Sequence, residues 1–205
     1  MPMPIQRGED WGESGGLRPD SVLVGSDAEA RSVIEDARRA NRPLPELGLL
    51  GGDLCRTLGG RGDADAIRSQ EAWRFAVDLG AVLLDGRLFW FCAHLVARRR
   101  GWAGEALVVM NAAWRGSWNL GPKAHPGDGL LDISHGRLSA RDRLRALRRV
   151  GTGDHLPHPQ IHHRRTGAFQ VELEASLMVE LDGQPVQRAS SLSIRVEPAA
   201  LTVVV

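Results

Sequence analysis

The sequence has 205 residues, of which 42% are hydrophobic and 25% are charged, and its formal net charge is +1. These values are typical of a globular protein with one or two domains, and they exclude a bulk electrostatic attraction to nucleic acid. The sequence contains no apolar run near the roughly 20 residues of a membrane-spanning helix, and Cys55 and Cys92 lie in apolar contexts that predict reduced core residues of a cytoplasmic protein.

The first part of the chain predicts a polar tail followed by a small α/β unit. Residues 1–20 are rich in glycine and proline and lack the apolar segment of a signal peptide, so we expect a flexible tail. Residues 21–72 have the pattern strand, helix, strand and short helix. The strands are the apolar runs Ser21–Val24 and Leu47–Leu50, and the segment between them has apolar residues at helical spacing. This order implies parallel strands joined by a right-handed crossover.

Residues 73–205 predict a mostly antiparallel β domain. Apolar residues alternate along Gln170–Leu181, and Asp-Gly pairs at 85–86 and 182–183 separate apolar runs as hairpin turns do. One helix, Ala140–Arg149, interrupts the strands and begins with a capping box at Ser139 and Asp142. The predicted fold class is therefore α+β: a small remnant α/β unit of nucleotide-binding type, then a β-sandwich-like domain whose last strand is free to return to the first unit.

The stretch VGSDAEA, residues 24–30, joins the first predicted strand to the first helix. A strand, a glycine turn and a helix start form a geometry that often binds a phosphate. Ser26 and Glu29 also form a capping box, in which their side chains satisfy the free amides of the first helical turn. Two interpretations follow, a modified nucleotide loop and a capped helix, and the carboxylate of Glu29 favours the capped helix because it repels a phosphate.

Three motifs follow one another in the second half of the chain. They are N-x-x-x-x-G-x-W from Asn111 to Trp118, P-x-x-x-P-G-D-G-L-L-D from Pro122 to Asp132, and L-D-G-x-P from Leu181 to Pro185. In this combination the sequence resembles the diacylglycerol kinase catalytic family, the bacterial lipid kinases related to sphingosine kinases. The resemblance implies an α/β nucleotide domain, here abridged, and a β-rich lipid-side domain with the active site between them. It also implies ATP and magnesium as cofactors and a lipid such as diacylglycerol as substrate.

The resemblance implies two nucleotide-binding loops in the first unit. Gly25, Ser26 and Asp27 stand where the family has the phosphate loop Gly-Gly-Asp-Gly-Thr, with Ala28 and Glu29 in its last two positions. Gly51, Gly52 and Asp53 stand in a second family loop, whose middle three residues are missing here. Both departures predict weak nucleotide binding, because converging backbone amides and glycines are what such loops use to hold phosphate.

Two aspartates are the candidates for chemistry in the second domain. By resemblance, Asp182 is the general base that takes the proton from the lipid hydroxyl, although Gln184 replaces the glutamate that the family has two residues later. By the same resemblance, Asp128 supports magnesium, with Asp132 as a weaker candidate. Without the resemblance, both aspartates also fit ordinary turns, since Asp-Gly is the preferred pair of a tight hairpin.

Basic clusters raise the question of a membrane contact. Arg141, Arg145 and Arg148 lie on the predicted helix, and Arg98–Arg100 lie beside Trp102. Such residues could contact the anionic inner face of a membrane, and a solvated charged face is the alternative. The histidines of DHLPHPQIHH, residues 154–163, predict a polar loop, because no cysteine accompanies them as structural zinc sites usually require.

Two functions remain open from the sequence. The first is an ATP-dependent lipid kinase in the cytoplasm or at the inner membrane face. The second is a non-catalytic relative that keeps the fold and binds a lipid or a protein partner, which the abridged first unit favours. A homodimer could complete the site in either case, and a mis-set start codon would be a third explanation of the short first unit.

Overall fold

The computed structural model describes residues 11–139, 141–142, 151 and 160–205. These residues include an eleven-stranded sheet and the α-helices α1 (Asp27–Arg39) and α2 (Gly52–Thr57). The strands are β1 (Glu13–Ser14), β2 (Val22–Val24), β3 (Leu47–Leu49), β4 (Trp73–Leu84), β5 (Arg87–Phe91), β6 (His94–Arg98), β7 (Gly104–Met110), β8 (Leu131–Leu138), β9 (Ile161–Thr166), β10 (Ala168–Leu181) and β11 (Gln184–Val204). None of the helices in these ranges is long and apolar enough to span a membrane.

The first unit has the predicted order of strand, helix, strand and helix. β2 and β3 pair in parallel, with Val22 opposite Leu47. Helix α1 begins after Ser26, which caps it, and buries a face that includes Ile34. The helix ends before Asn41, whose φ of 51° leaves the helical region. The sequence pattern of residues 21–50 therefore folds as its periodicity predicts.

The second unit is an antiparallel series of strands, which confirms the predicted α+β class. Its sheet has the order β1-β4-β11-β10-β6-β7-β8-β9, with β5 on β4. Both Asp-Gly pairs form the predicted hairpin turns: Asp85 and Asp182 have φ values of 45° and 51°, and Gly86 and Gly183 have 86° and 80°. Positive φ at both central residues is the geometry of the turn that matches the twist of paired strands.

Strand β11 joins the two units. It pairs antiparallel with β10 and β4, and its last residues, Val203 and Val204, pair in parallel with Leu47 and Gly48 of β3. Its side chains enter both large hydrophobic clusters: Leu192 lies in the cluster of the antiparallel strands, and Leu201 lies in the cluster under α1 and α2. The small α/β unit is thus an extension of one continuous sheet.

Residues 11–17 differ from the flexible tail that composition suggests. The Trp11 ring lies 4.6 Å from that of Phe75 between centroids, and its indole N–H donates to the Ala76 carbonyl at 3.3 Å. The amide of Gly15 donates to the Ala72 carbonyl at 2.8 Å. These partners lie more than 50 residues away along the chain, so local composition gives no sign of them.

The predicted helix Ala140–Arg149 falls mostly outside the described residues. At its start the Ser139 hydroxyl accepts a hydrogen bond from the Asp142 amide at 3.2 Å, as the capping box predicts. Arg145, Arg148 and the histidines at 155 and 158 lie outside the described ranges.

Candidate functional site

The candidate site lies where the first unit meets the second, around the N-terminus of α2. Asp27, Asp53, His94 and Asp182 follow one another there through direct contacts. Asp27 accepts from the Asp53 amide, the Asp53 carboxylate lies 3.1 Å from His94 Nε2, and Asp182 accepts from the His94 amide at 3.0 Å. The structure therefore brings Asp27 and Asp53, predicted for nucleotide binding, close to Asp182, predicted as the base.

Asp27 occupies the amides at the start of α2. Its carboxylate accepts hydrogen bonds from the Asp53 amide at 2.5 Å and from the Leu54 amide at 3.1 Å. Burial, and after it the nearby charge of Asp182, raise the pKa of Asp27 to about 7, against the lowering effect of the two amides. A phosphate at this position would accept hydrogen bonds from these same amides, which already donate to the Asp27 carboxylate.

The glycines of the second loop make room for this carboxylate. A Cβ on Gly52 would lie 2.5 Å from Asp27 Oδ1, and the φ of Gly52 is +97°, a region that favours glycine. A Cβ on Gly51 would lie 2.5 Å from the Gly25 carbonyl, so the two loops also meet backbone to backbone. Gly51 and Gly52 thus allow loop-to-loop packing in this structure.

The first loop is closed by the predicted capping box. Ser26 Oγ accepts from the Glu29 amide at 3.2 Å, and Glu29 Oε2 accepts from the Gly25 amide at 2.7 Å. The Gly25 amide points at a carboxylate where the family loop would offer it to a phosphate. The residues predicted to bind ATP therefore do not fit a triphosphate in this conformation, because the amides of Gly25, Asp53 and Leu54 already bind carboxylates.

Asp53 and His94 form the pair at the centre of the site. Asp53 Oδ1 accepts from the Gly116 amide at 2.8 Å, and His94 Nε2 lies 3.1 Å from Asp53 Oδ2. Burial opposes ionisation of Asp53, but the hydrogen bonds from His94 and Gly116 outweigh it and lower its pKa. His94 is 1% exposed, and its Nδ1 has no hydrogen-bond partner among the described residues.

Asp182 is a buried turn residue whose carboxylate holds the start of β6. It accepts hydrogen bonds from the amides of Cys92 at 3.0 Å, Ala93 at 2.8 Å and His94 at 3.0 Å. Burial raises its pKa, against the lowering effects of His94 and of the three amides. The turn interpretation of Asp182 matches this geometry, and its role as a base stays a prediction.

Asp128 lies beside an arginine. Its carboxylate forms an ion pair with Arg165 and accepts from the Leu130 amide at 3.0 Å, while Asp132 Oδ1 accepts from Arg165 Nε at 2.8 Å. Burial raises the pKa of Asp132 despite the charge of Arg165. In the described ranges no three histidine, cysteine or acidic side chains are grouped closely enough to hold a metal. Asp128 therefore does not fit a magnesium ion here, because Arg165 already supplies the positive charge.

Sequence reasoning missed two buried polar residues that shape the site, Asp78 and His94. Asp78 is fully buried, and it accepts from the Gly129 amide at 2.7 Å and from the Ala199 amide at 2.8 Å. The Asn111 side chain donates to the carbonyls of Asp78 at 2.8 Å and Cys92 at 2.7 Å. The signal for Asp78 was available, since one carboxylate stands inside the apolar run FAVDLGAVLL. His94 carried no comparable signal.

Comparisons with known proteins relate both the sequence and the fold to one group. A family model described as the YegS C-terminal NAD kinase beta sandwich-like domain matches residues 66–205. Solved structures of Bacillus anthracis str. Sterne proteins that carry the name diacylglycerol kinase share the fold. One is 16% identical, with a TM-score of 0.69 over 90% of this chain and 77% of that chain. Another is 18% identical, with a TM-score of 0.64 over 90% and 75%. No curated protein matches the chain by sequence.

Proposed function

Because the chain belongs to the family of the YegS C-terminal NAD kinase beta sandwich-like domain, a diacylglycerol kinase-like group, we propose that it is a non-catalytic member of that group. In this proposal it keeps the lipid-kinase fold, binds ATP poorly and acts by binding a lipid or a protein partner. The solved relatives that carry the name diacylglycerol kinase support the link to lipid kinases.

One observation carries the proposal: the Glu29 carboxylate binds the Gly25 amide at 2.7 Å. Phosphate loops bind an anion through free amides at a helix N-terminus, and the resemblance implies a threonine where Glu29 stands. A negative side chain on that amide both removes a donor and repels the phosphates.

Asp27 adds to the same effect. A phosphate at the start of α2 would have to displace its carboxylate from the amides of Asp53 and Leu54. Hydrogen bonds to a charged group contribute about 1.5–3 kcal/mol each. Breaking these two hydrogen bonds offsets what the phosphate would gain from the same amides, so the presence of Asp27 weakens nucleotide binding.

A second candidate function is an active lipid kinase, and the convergence of Asp27, Asp53, His94 and Asp182 favours it. A carboxyl group whose pKa lies near neutrality is suited to general-base catalysis. Asp27 has a pKa of about 7, and the pKa of Asp182 is raised. In this alternative, Asp182 takes the proton from the hydroxyl of a lipid such as diacylglycerol.

Two measurements distinguish these functions. Calorimetry with ATP and magnesium at millimolar concentration tests binding, and labelled ATP with diacylglycerol in mixed micelles tests transfer. We expect neither signal, while one of the Bacillus anthracis relatives in the same micelles controls for the assay. Transfer that is lost in Asp182→Ala would overturn the non-catalytic proposal.

A gain-of-function variant tests whether the altered loop is the cause of the poor ATP binding. Ser26→Gly, Ala28→Gly and Glu29→Thr together restore the loop that the resemblance implies. We expect ATP binding to become measurable in this variant. If this variant still did not bind ATP, Glu29 would not be what keeps phosphate from the loop.

A further inference from the structure

Two neighbouring loops carry arginine and tryptophan side chains, and the second of them borders the candidate site, where its Gly116 amide donates to Asp53. One is the turn between β6 and β7, and the other is the turn 115–118. We call the set that they form the Trp–Arg surface: Arg98, Arg99, Arg100, Trp102, Arg115 and Trp118.

The tryptophans fix the two loops against each other. The rings of Trp102 and Trp118 lie 5.9 Å apart between centroids, and both pack against a small cluster that includes Val96 and Val108. Arg115 and Trp118 exchange two backbone hydrogen bonds, of 2.8 and 3.1 Å, which make the second turn tight. The surface is therefore a preformed feature of the fold.

The first turn has an unusual backbone. Gly101 and Trp102 have φ values of 69° and 60°. A bulky residue rarely adopts this left-handed region, and it stays there only when surrounding contacts hold it. Two neighbours of the Trp102 ring provide such contacts. The Arg98 guanidinium lies 5.1 Å from the ring centroid, and the Trp118 ring packs against the same ring.

The surface has an excess of positive charge. Glu180 accepts from Arg98 at 2.8 Å and from Arg115 at 2.6 Å, so one carboxylate serves two guanidinium groups. Arg99 and Arg100 are exposed, and neither has an ion-pair partner in the part of the chain that the structure describes. Glu180 and Asp53 both lie near Arg115, so the unbalanced positive charge of the surface is carried mainly by Arg99 and Arg100.

We propose that the Trp–Arg surface docks onto an anionic phospholipid membrane. Tryptophan favours the membrane–water interface, and unpaired arginines are attracted to anionic headgroups. Single-stranded nucleic acid fits less well, because it needs open aromatic faces for base stacking. Here Arg98 and Trp118 lie against the Trp102 ring. The inference is independent of whether the protein transfers phosphate.

Co-sedimentation with lipid vesicles tests this surface in the full-length chain. We expect binding to phosphatidylcholine vesicles that contain phosphatidylglycerol and none to pure phosphatidylcholine. A basic side chain near an anionic surface contributes about fivefold to binding, so the double variant Arg99→Gln and Arg100→Gln should bind about 30-fold more weakly. The matched control is Arg42→Gln with Arg61→Gln, which removes the same charge from exposed positions in the first unit and should bind as the unchanged protein does.

Four results would overturn the proposal. The first is equal binding to both vesicle types. The second is an equal loss in the two double variants, which would indicate a bulk charge effect. The third is unchanged binding of the Arg99 and Arg100 variant, which would assign the contact elsewhere, for example to Arg141, Arg145 and Arg148. Tighter binding to a labelled single-stranded oligonucleotide than to vesicles would also contradict it.

Discussion

The carboxylate of Asp27 accepts a hydrogen bond of 2.5 Å from the backbone amide of Asp53, 26 residues later in the chain. This contact joins the two loops that the family resemblance assigns to the nucleotide. It ties the two loops to each other within the protein. The protonation state of one buried carboxyl group therefore affects the stability of the whole first unit.

The first prediction concerns pH. The pKa of Asp27 is about 7 in the folded protein and about 3.9 in an unfolded chain. Between these values the folded state holds a proton that the unfolded state releases, so stability falls as pH rises, by at most about 1.4 kcal/mol per pH unit. We expect Asp27→Asn to flatten the slope of unfolding free energy between pH 5 and pH 8, as measured by urea denaturation.

A matched substitution controls for the loss of a formal charge. Asp20→Asn changes an exposed carboxyl group and should leave the slope unaltered. A slope in Asp27→Asn equal to that of the unchanged protein would assign the pH dependence to the other buried carboxyl groups, among them Asp182 and Asp78.

The second prediction concerns the approach of Asp27 to Gly52. Gly52→Ala places a methyl group 2.5 Å from Asp27 Oδ1 at a φ of +97°, so it both strains the backbone and displaces the carboxylate. We expect a loss of about 3 kcal/mol in unfolding free energy. Gly59 has a similar φ of +82° and nothing within 4 Å. Gly59→Ala should therefore cost only the strain, about 1 kcal/mol, and equal losses would contradict the role given to Asp27.

The third prediction separates the structural role of Asp182 from a catalytic one. Asp182→Ala leaves the amides of Cys92, Ala93 and His94 buried without acceptors. We expect a loss of about 3–5 kcal/mol in unfolding free energy. Asp182→Asn keeps one acceptor oxygen and should lose about half as much. Thermal unfolding measures the stability of both variants. An Asp182→Ala variant as stable as the unchanged protein would contradict the anchoring role of Asp182.

The fourth prediction concerns the arginine beside Asp128. Arg165→Met removes the cation that Asp128 and Asp132 share and leaves two carboxylates close together. We expect this to lower the unfolding free energy by about 2–3 kcal/mol. We expect millimolar magnesium to raise the melting temperature of this variant and to leave that of the unchanged protein as it is.

Two controls belong to this experiment. Choline chloride at the same ionic strength separates metal binding from screening. Arg164→Met removes the neighbouring guanidinium, which lies over the Phe169 ring at 4.1 Å, and should show no response to magnesium. An equal response of the unchanged protein would show that Arg165 does not replace the metal.

Local chemistry explains which features the sequence predicts. The capping box of Ser26 and Glu29 involves residues three apart, and the Asp-Gly hairpins depend on two adjacent residues, so each is visible in a short window. The α+β class follows from the periodicity of apolar residues in the same way.

The features that escape prediction depend on distant partners. Asp78 binds the Ala199 amide across 121 residues, and Asp182 binds the Cys92 amide across 90. Arg165 on β9 reaches Asp128 in the loop before β8, 37 residues away. No local pattern identifies such pairs, and the family resemblance supplied Asp182 and Asp128 without the neighbours that determine their environment.

The position of β11 also affects how the protein is made. A ribosome releases the chain from its first residue onward, yet Leu192 and Leu201 complete the two large hydrophobic clusters. Until these residues leave the exit tunnel, β4 has no β11 to cover its long edge, and β3 has no Val203 to pair with. Neither half can therefore finish folding before β11 has left the tunnel, and until then β4 exposes the edge that β11 later pairs with.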